Sequence, residues 1–343
     1  MHVPMICAAG FAAGDENPRT AKKAYILFHM EQEQKTPASQ TLGAFTCNIC
    51  GEHNVSSADA SEREQVTCAK CRSTIRFRSI LLTLSRALFG LDLKLSEFPI
   101  LKSVRGLGFS DSDVYSGRLE NCFSYTNTFY HREPRFDLSR PDEKEFGRYD
   151  FVICSDVLEH VPEPVERAFL SLSSLLKPTG ILILTVPYSL EPETIEHYPD
   201  LAESGFAEID GQTVLVGRLR NGEYRVLDQL QFHGGTGSTL ERRLFSDRSV
   251  RLGLAAAGFS TVRLDATGSR EFGVAFSSPC SLPISAGRDS FALSASGVTE
   301  LVREIAAARK ESAILGLIRS SRWLRLGRAL GFGPALPPPS LQR

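Results

Sequence analysis

The sequence predicts an α/β fold, a doubly wound and mainly parallel sheet with a small cysteine-built ribbon in front of it. Three observations lead there. Short apolar strands alternate with helical segments from about residue 103 to residue 278, as in a parallel sheet covered on both faces. Two late strands are joined by a connection too short for a crossover, so one strand runs antiparallel. Cys47, Cys50, Cys68 and Cys71 form two CxxC pairs ahead of this pattern.

The chain has 343 residues, 42% of them hydrophobic, enough for one large domain or a core domain with attachments. Its 39 basic and 40 acidic residues leave a net charge of −1, which argues against a general polyanion binder. No run approaches the roughly 18 apolar residues of a membrane span. The first residues lack the basic leader and unbroken apolar stretch of a signal peptide. Eight cysteines without a secretion signal fit a cytoplasmic chain.

In order, residues 1–43 read as a poorly ordered segment, with Met30 as an alternative start, and residues 44–72 as the ribbon. Ile80, Leu81, Leu84 and Leu88 lie at helical spacing before Gly90, so a helix begins near Thr74. It opens a main domain at 73–288. SVRGLGF (103–109), CFSYTNTF (122–129), YDFVICSD (149–156) and ILILTVPY (181–188) read as strands. Helices are expected at 113–120, at 164–180 between Pro164 and Gly180, and at 245–258 with Gly258 as its stop. An insertion at 189–241 interrupts the rhythm, and Asn221-Gly222 between two apolar runs predicts a hairpin there. TVRLDA (261–266) and EFGVAFSS (271–278) are the expected antiparallel pair. Residues 289–343 form a helical, basic tail in which Arg319, Arg322, Arg325 and Arg328 recur at every third position beside Trp323. A helix packed on the domain with its arginines in solvent is the first expectation for this tail. Contact with an anionic membrane surface is the alternative.

Four thiolates from two tight knuckles match the tetrahedral, sulfur-rich site of structural zinc. With Cys47, Cys50, Cys68 and Cys71 as ligands no position is left open to substrate, so the site lends folding energy rather than chemistry. Its net charge near −2 calls for cations, and Lys70, Arg72, Arg76 and Arg78 are close in sequence. Nucleic-acid binding by the ribbon is disfavoured, because Glu52, Glu62 and Glu64 lie in it and Phe45 is its one aromatic.

The most informative stretch is 151–188, with Ser155-Asp156 ending a strand, then Leu158-Glu159-His160, a helix, Leu176-Lys177-Pro178-Thr179-Gly180, and Val186-Pro187 closing the next strand. On these features the chain resembles the class I S-adenosylmethionine-dependent methyltransferases that act on small molecules, glycans and quinone precursors. The resemblance implies a seven-stranded, doubly wound sheet. Asp156, Val157 and Leu158 lie at the carboxyl end of a strand, where open α/β sheets bind ligands. The resemblance places that step, with Ser155, beside the methionine portion and adenine of the cofactor, and Asp137 on the adenine amino group. The family's glycine-rich turn is reduced here to Gly106 and Gly108, and the ribose end of the next strand offers Thr126 and Asn127 instead of an acid.

Methyl transfer is an in-line displacement in which alignment does much of the work, while an amine or hydroxyl acceptor also needs a base. His233 is the first candidate, with Gly234, Gly235 and Gly237 behind it and Glu241 to orient a donor. His160 is the second, or else a cap. Segment 189–241 is expected as the acceptor lid, and Glu191, Glu193, Glu196 and His197 in it as an ordinary acidic loop. The leading reading is S-adenosylmethionine-dependent methyl transfer to a small-molecule or glycan acceptor. The alternatives are an RNA methyltransferase guided by the zinc ribbon and a non-enzymatic scaffold with a degenerate cofactor turn.

Overall fold

The computed structural model describes residues 41–59, 63–233 and 239–321. The expected N-terminal segment up to residue 40 and the tail from Arg322, with Trp323, Arg325 and Arg328, lie outside the described residues, as does the side chain of Arg319.

The chain opens with an antiparallel hairpin of β1 (Thr41–Thr46) and β2 (His53–Asp59). Helix α1 (Ile75–Phe89) follows, capped by the Thr74 hydroxyl, which accepts from the Phe77 amide, and stopped by Gly90 in the left-handed region. Next come β3 (Leu101–Phe109), α2 (Ser116–Cys122), β4 (Phe123–Thr128), β5 (Tyr149–Ser155), α3 (Glu166–Leu175) and β6 (Leu176–Thr185). The insertion holds β7 (Tyr188–Ser189), β8 (Ile195–Glu196), β9 (Leu201–Ile209), β10 (Gln212–Leu219), β11 (Tyr224–Leu227), β12 (Phe232–His233) and β13 (Thr239–Leu240). The chain continues through β14 (Arg243–Ser246), α4 (Asp247–Ala256), β15 (Thr261–Leu264), β16 (Ile284–Gly287) and α5 (Ala295–Ser320).

The central sheet runs β15-β16-β6-β5-β3-β4. Strands β4, β3, β5 and β6 are parallel, and β16 is antiparallel to both of its neighbours. Among the described residues this sheet has six strands rather than seven. The chain between β4 and β5 makes one bridge, Phe129 with Arg135, and Pro134 and Pro141 remove ladder donors from it.

Three boundaries depart most from expectation. Strand β1 begins at Thr41, inside the segment 1–43 expected to be poorly ordered, because it pairs with β2. The antiparallel pair is β15 with β16, not with 271–278. That apolar run is a turn in which Gly273 has a positive φ and Phe272 and Val274 are buried against Ile75 and Leu82 of α1. The helix expected to reach Gly180 ends at Leu175, and Leu176-Lys177-Pro178-Thr179-Gly180 begins β6, where a side chain at Gly180 would come within 2.8 Å of the Tyr149 carbonyl.

Both faces of the sheet are covered. On one, α3 and α4 pack Leu172, Val250 and Leu254 against Val152, Leu182 and Leu184. On the other, α1 and α2 join Phe45, Cys47 and Ile49 of the ribbon over Tyr125, Phe151 and Ile153. The ribbon therefore shares its core with the sheet. The start of α5 lies along β3, where Glu300 accepts from the amide and hydroxyl of Ser103 at 3.0 and 2.9 Å.

In the insertion, β10 pairs with β11 across the expected Asn221-Gly222 turn and with β9 across Asp210-Gly211. Strand β14 lies between β7 and β8 and carries Arg243, whose buried guanidinium donates to Glu196, Glu163 and the carbonyls of Leu158 and Val161. Among the described residues no helix is long and apolar enough to cross a membrane.

Candidate functional site

Because β3 to β6 run parallel, their carboxyl ends meet along one edge, which brings together Ser110 and Asp111, Asn127, Ser155 and Asp156, and Thr185. Ser110 (φ 57°) and Asp156 (φ 51°) both take the left-handed conformation that side chains other than glycine seldom adopt, turning the chain sharply off the sheet.

Asp156 is the most heavily engaged residue of the edge. Its side chain is 4% exposed and receives Arg63 Nη2 at 2.9 and 2.6 Å, Arg76 Nε at 3.3 Å and the Thr185 hydroxyl at 2.8 Å. Arg76 also donates to the Ser155 hydroxyl at 2.7 Å, which is bonded to Thr185 at 2.9 Å. Burial opposes the charge on Arg76, but Asp156 and Glu64 outweigh it and raise its pKa. Neither arginine was foreseen here. Arg76 was expected to neutralise the cysteine cluster, and Arg63, 93 residues from Asp156, gave no local signal.

The remaining expected cofactor residues divide. Gly106 and Gly108 answer to packing within the sheet, since a Cβ on Gly106 would lie 2.2 Å from the Phe151 ring and one on Gly108 1.9 Å from the Tyr125 hydroxyl. The Asn127 amide clips the loop after β3, accepting from the Asp111 amide at 2.9 Å and donating to its carbonyl at 2.8 Å. Asp137 binds the amide and hydroxyl of Ser139 in a local turn. Val157 is half-buried against the core, and the Leu158 side chain is fully inside it. Ser155 and Asp156 are thus the two expected residues whose polar side chains meet the foreign arginines at the strand ends. Asp111 joins them: it is buried, accepts from Tyr115 and Tyr125, and its carboxyl is pushed by burial up to about 7.

On the insertion side, His160 Nδ1 donates to the Leu240 carbonyl at 2.8 Å and Nε2 lies 3.6 Å from Glu159, so this ring pins the turn after β5 to β13. Glu159 is fully buried, and burial first, then nearby Asp156, pushes its carboxyl well above the usual range. Glu241 orients a histidine, but that histidine is His197, with Nε2 3.4 Å from Oε1. His197 was read as part of a solvated loop; 44 residues separate the pair, and only β8 and β13–β14 bring them together. The backbone of His233 pairs with Thr239, while its side chain and Gly234, Gly235 and Gly237 lie outside the described residues.

The cysteines converge as expected. Their four sulfurs lie within 4.8 Å of one another, with Cys47–Cys71 and Cys50–Cys68 at 3.6 Å, close to the edge of about 3.8 Å that tetrahedral zinc–sulfur bonds require. Each knuckle closes alike: the Gly51 amide donates to the Cys47 carbonyl, the Arg72 amide to the Cys68 carbonyl, and Gly51 and Arg72 have positive φ. Arg78 is the buried cation nearby, donating to the Ser73 carbonyl and hydroxyl and to the Gly273 carbonyl and lying 4.6 Å over the Phe45 ring. Lys70 pairs with Glu52 on the surface.

Residues 106–233 match a family model described as a methyltransferase domain. No curated protein matches the chain. Among solved structures, the 1,6-didemethyltoxoflavin N1-methyltransferase of Burkholderia thailandensis is 14% identical, with 82% of this chain and 97% of that one covered and a TM-score of 0.32. The sugar N-methyltransferase KedS8 of a Streptoalloteichus species is 13% identical, with 84% and 99% covered and a TM-score of 0.35. The amino pentose methyltransferase CalS10 of Micromonospora echinaspora is 15% identical, with 54% and 84% covered and a TM-score of 0.32.

Proposed function

We propose that the chain is an S-adenosylmethionine-dependent methyltransferase that acts on a small-molecule or sugar acceptor and that zinc fills its four-cysteine site, a reading supported by the match of residues 106–233 to a methyltransferase-domain model. The observation that carries the cofactor side is the pairing of Asp156 with Arg63 and Arg76 at the parallel strand ends. A carboxylate and two guanidiniums side by side offer both signs of charge, which suits the zwitterionic amino-acid end of S-adenosylmethionine. When bound, that cofactor supplies an electrophilic methyl group on sulfur. The arginines and Asp156 hold and orient its amino-acid end, and Asp111, fixed by two tyrosines, keeps the loop after β3 in place.

The insertion at 189–241 supports an acceptor of modest size. It stands directly after β6, and it carries exposed aromatic rings on Phe206 and Tyr224. We assign His197, oriented by Glu241, to accept the proton of an amine or hydroxyl acceptor. His233 remains a candidate for the same role, and His160 serves as a pin. All seven described cysteines outside residue 7 are free of disulfides, which suits a reducing compartment such as the cytoplasm.

Calorimetric titration with S-adenosylhomocysteine tests the cofactor assignment, and metal analysis of protein purified without added metal should return about one zinc per chain. Absence of binding at millimolar ligand would reject the first, and metal-free protein with an unchanged melting curve the second. An acceptor screen with amino sugars, hydroxylated sugars and small heterocycles then separates acceptor classes.

A further inference from the structure

Arg63 and Arg76 flank the second cysteine pair evenly, five residues before Cys68 and five after Cys71. The chain between them is a closed loop. The Arg76 amide donates to the Arg63 carbonyl at 3.0 Å, Val66 and Thr74 form an antiparallel bridge, and the amides of Thr67 and Cys68 both donate to the Ser73 carbonyl. Its tip carries two of the four sulfurs and is tied to β2 by Asn54, which accepts from the Ala69 amide at 3.0 Å. Its base presents the two guanidiniums that grip Asp156. One rigid piece of chain therefore has the metal ligands at one end and the cofactor-side charges at the other.

We propose that metal in the four-cysteine site and cofactor at the strand ends are thermodynamically linked through this loop, with Arg63 as the positioning residue that carries the coupling. The inference rests on the methyltransferase reading. A bound metal ties Cys68 and Cys71 to Cys47 and Cys50 and so fixes the tip; the hydrogen-bonded rungs transmit that constraint to the base. Without it, four clustered thiols supply no comparable restraint, the loop frays, and the largely buried carboxylate of Asp156 loses its arginine partner. A cofactor held by the same arginines must in turn resist fraying of the tip, because coupling between two binding sites is reciprocal.

The test uses the full-length, metal-loaded protein and reads metal release to excess chromogenic chelator by absorbance, with and without saturating S-adenosylhomocysteine. Release is expected to slow about tenfold with the ligand, within the usual range for coupled sites. Arg63→Gln should still take up one metal per chain, bind the ligand about tenfold more weakly, and release metal at a rate the ligand no longer changes. Arg63→Lys, which keeps the charge on a more flexible stem without the planar guanidinium, should lie between. The inference is overturned if the wild-type protein binds S-adenosylhomocysteine but releases metal at one rate with and without it, or if Arg63→Gln keeps the full ligand effect. Wild-type protein that gives no binding heat at all rejects the methyltransferase reading itself, a separate outcome from either of these.

Discussion

The hydroxyl of Tyr115 donates to Asp111 Oδ1 at 2.7 Å while Tyr125 donates to the other oxygen, so a buried carboxyl is held between two phenols where β3 ends. Burial pushes this carboxyl up to about 7, although both hydroxyls and Arg76 pull it down. A free aspartate titrates near 3.9. The folded state therefore favours the proton, and the stabilisation is complete below about pH 4 and is lost as pH rises through about 7. Asp111→Asn should remove this dependence. Between pH 4 and pH 8 the wild-type protein should lose up to about 4 kcal/mol relative to the variant, read by urea unfolding at several pH values. An offset between the two proteins that stays constant with pH would mean that Asp111 does not titrate in this range.

Gly108 lies directly under that pair. Gly108→Ala would drive a methyl group to 1.9 Å from the Tyr125 hydroxyl and 2.2 Å from Asp111 Oδ2. We expect a loss of about 3 kcal/mol or more, by overpacking and by breaking a buried hydrogen bond. Adding Tyr125→Phe should recover part of it, so that the double variant is less destabilised than the two single losses combined. Strict additivity would show that the methyl group is accommodated elsewhere.

Arg78 gives the ribbon its buried cation. Arg78→Ala leaves the Gly273 carbonyl without its side-chain donor, takes one donor from Ser73, opens a space under Phe45 and removes a buried positive charge beside the cysteine site. A destabilisation of about 3–5 kcal/mol is expected, together with faster metal loss at low ionic strength. A variant that melts and holds metal like the parent would make Arg78 a bystander.

His197 and Glu241 separate binding from chemistry. His197→Ala and Glu241→Gln should each lower turnover on an acceptor found by screening by about 10²–10⁴-fold, while affinity for S-adenosylhomocysteine stays as it was. If His233→Ala alone abolishes turnover, the base is His233 instead.

The sheet was legible where side chains face the core on both sides. FVIC and ILIL are continuous apolar runs, and β5 and β6 lie where those runs do. EFGVAFSS misled because its apolar residues bury themselves one turn at a time under α1, a pattern that resembles a strand in sequence. Strand β9 was missed because LAESGFAEI is mostly exposed and shows little alternation. The four cysteines could be read directly, since a metal site needs ligand type and spacing and little else. The arginines at Asp156 could not: a contact spanning 93 residues leaves no periodicity, and only the folded ribbon carries Arg63 to the strand end. The pairing of Glu241 with His197 was hidden for the same reason. Gly106 and Gly108 also serve packing that the sequence did not show, since Phe151 and Tyr125 occupy the space a side chain there would need.

The insertion is fastened at its root and plain at its tip. Arg243 locks β14 to Glu163, Glu196 and two carbonyls, whereas the Asp210-Gly211 turn points outward with nothing within 4 Å of the place a Gly211 side chain would take. That turn is accordingly a splice point: a peptide epitope or a dye-labelled cysteine introduced between β9 and β10 rides outside the protein as cargo, giving an optical handle on the insertion. The same graft at the root would cut through the only buried arginine that holds β14, among the described residues, and would be expected to detach the whole segment from the sheet.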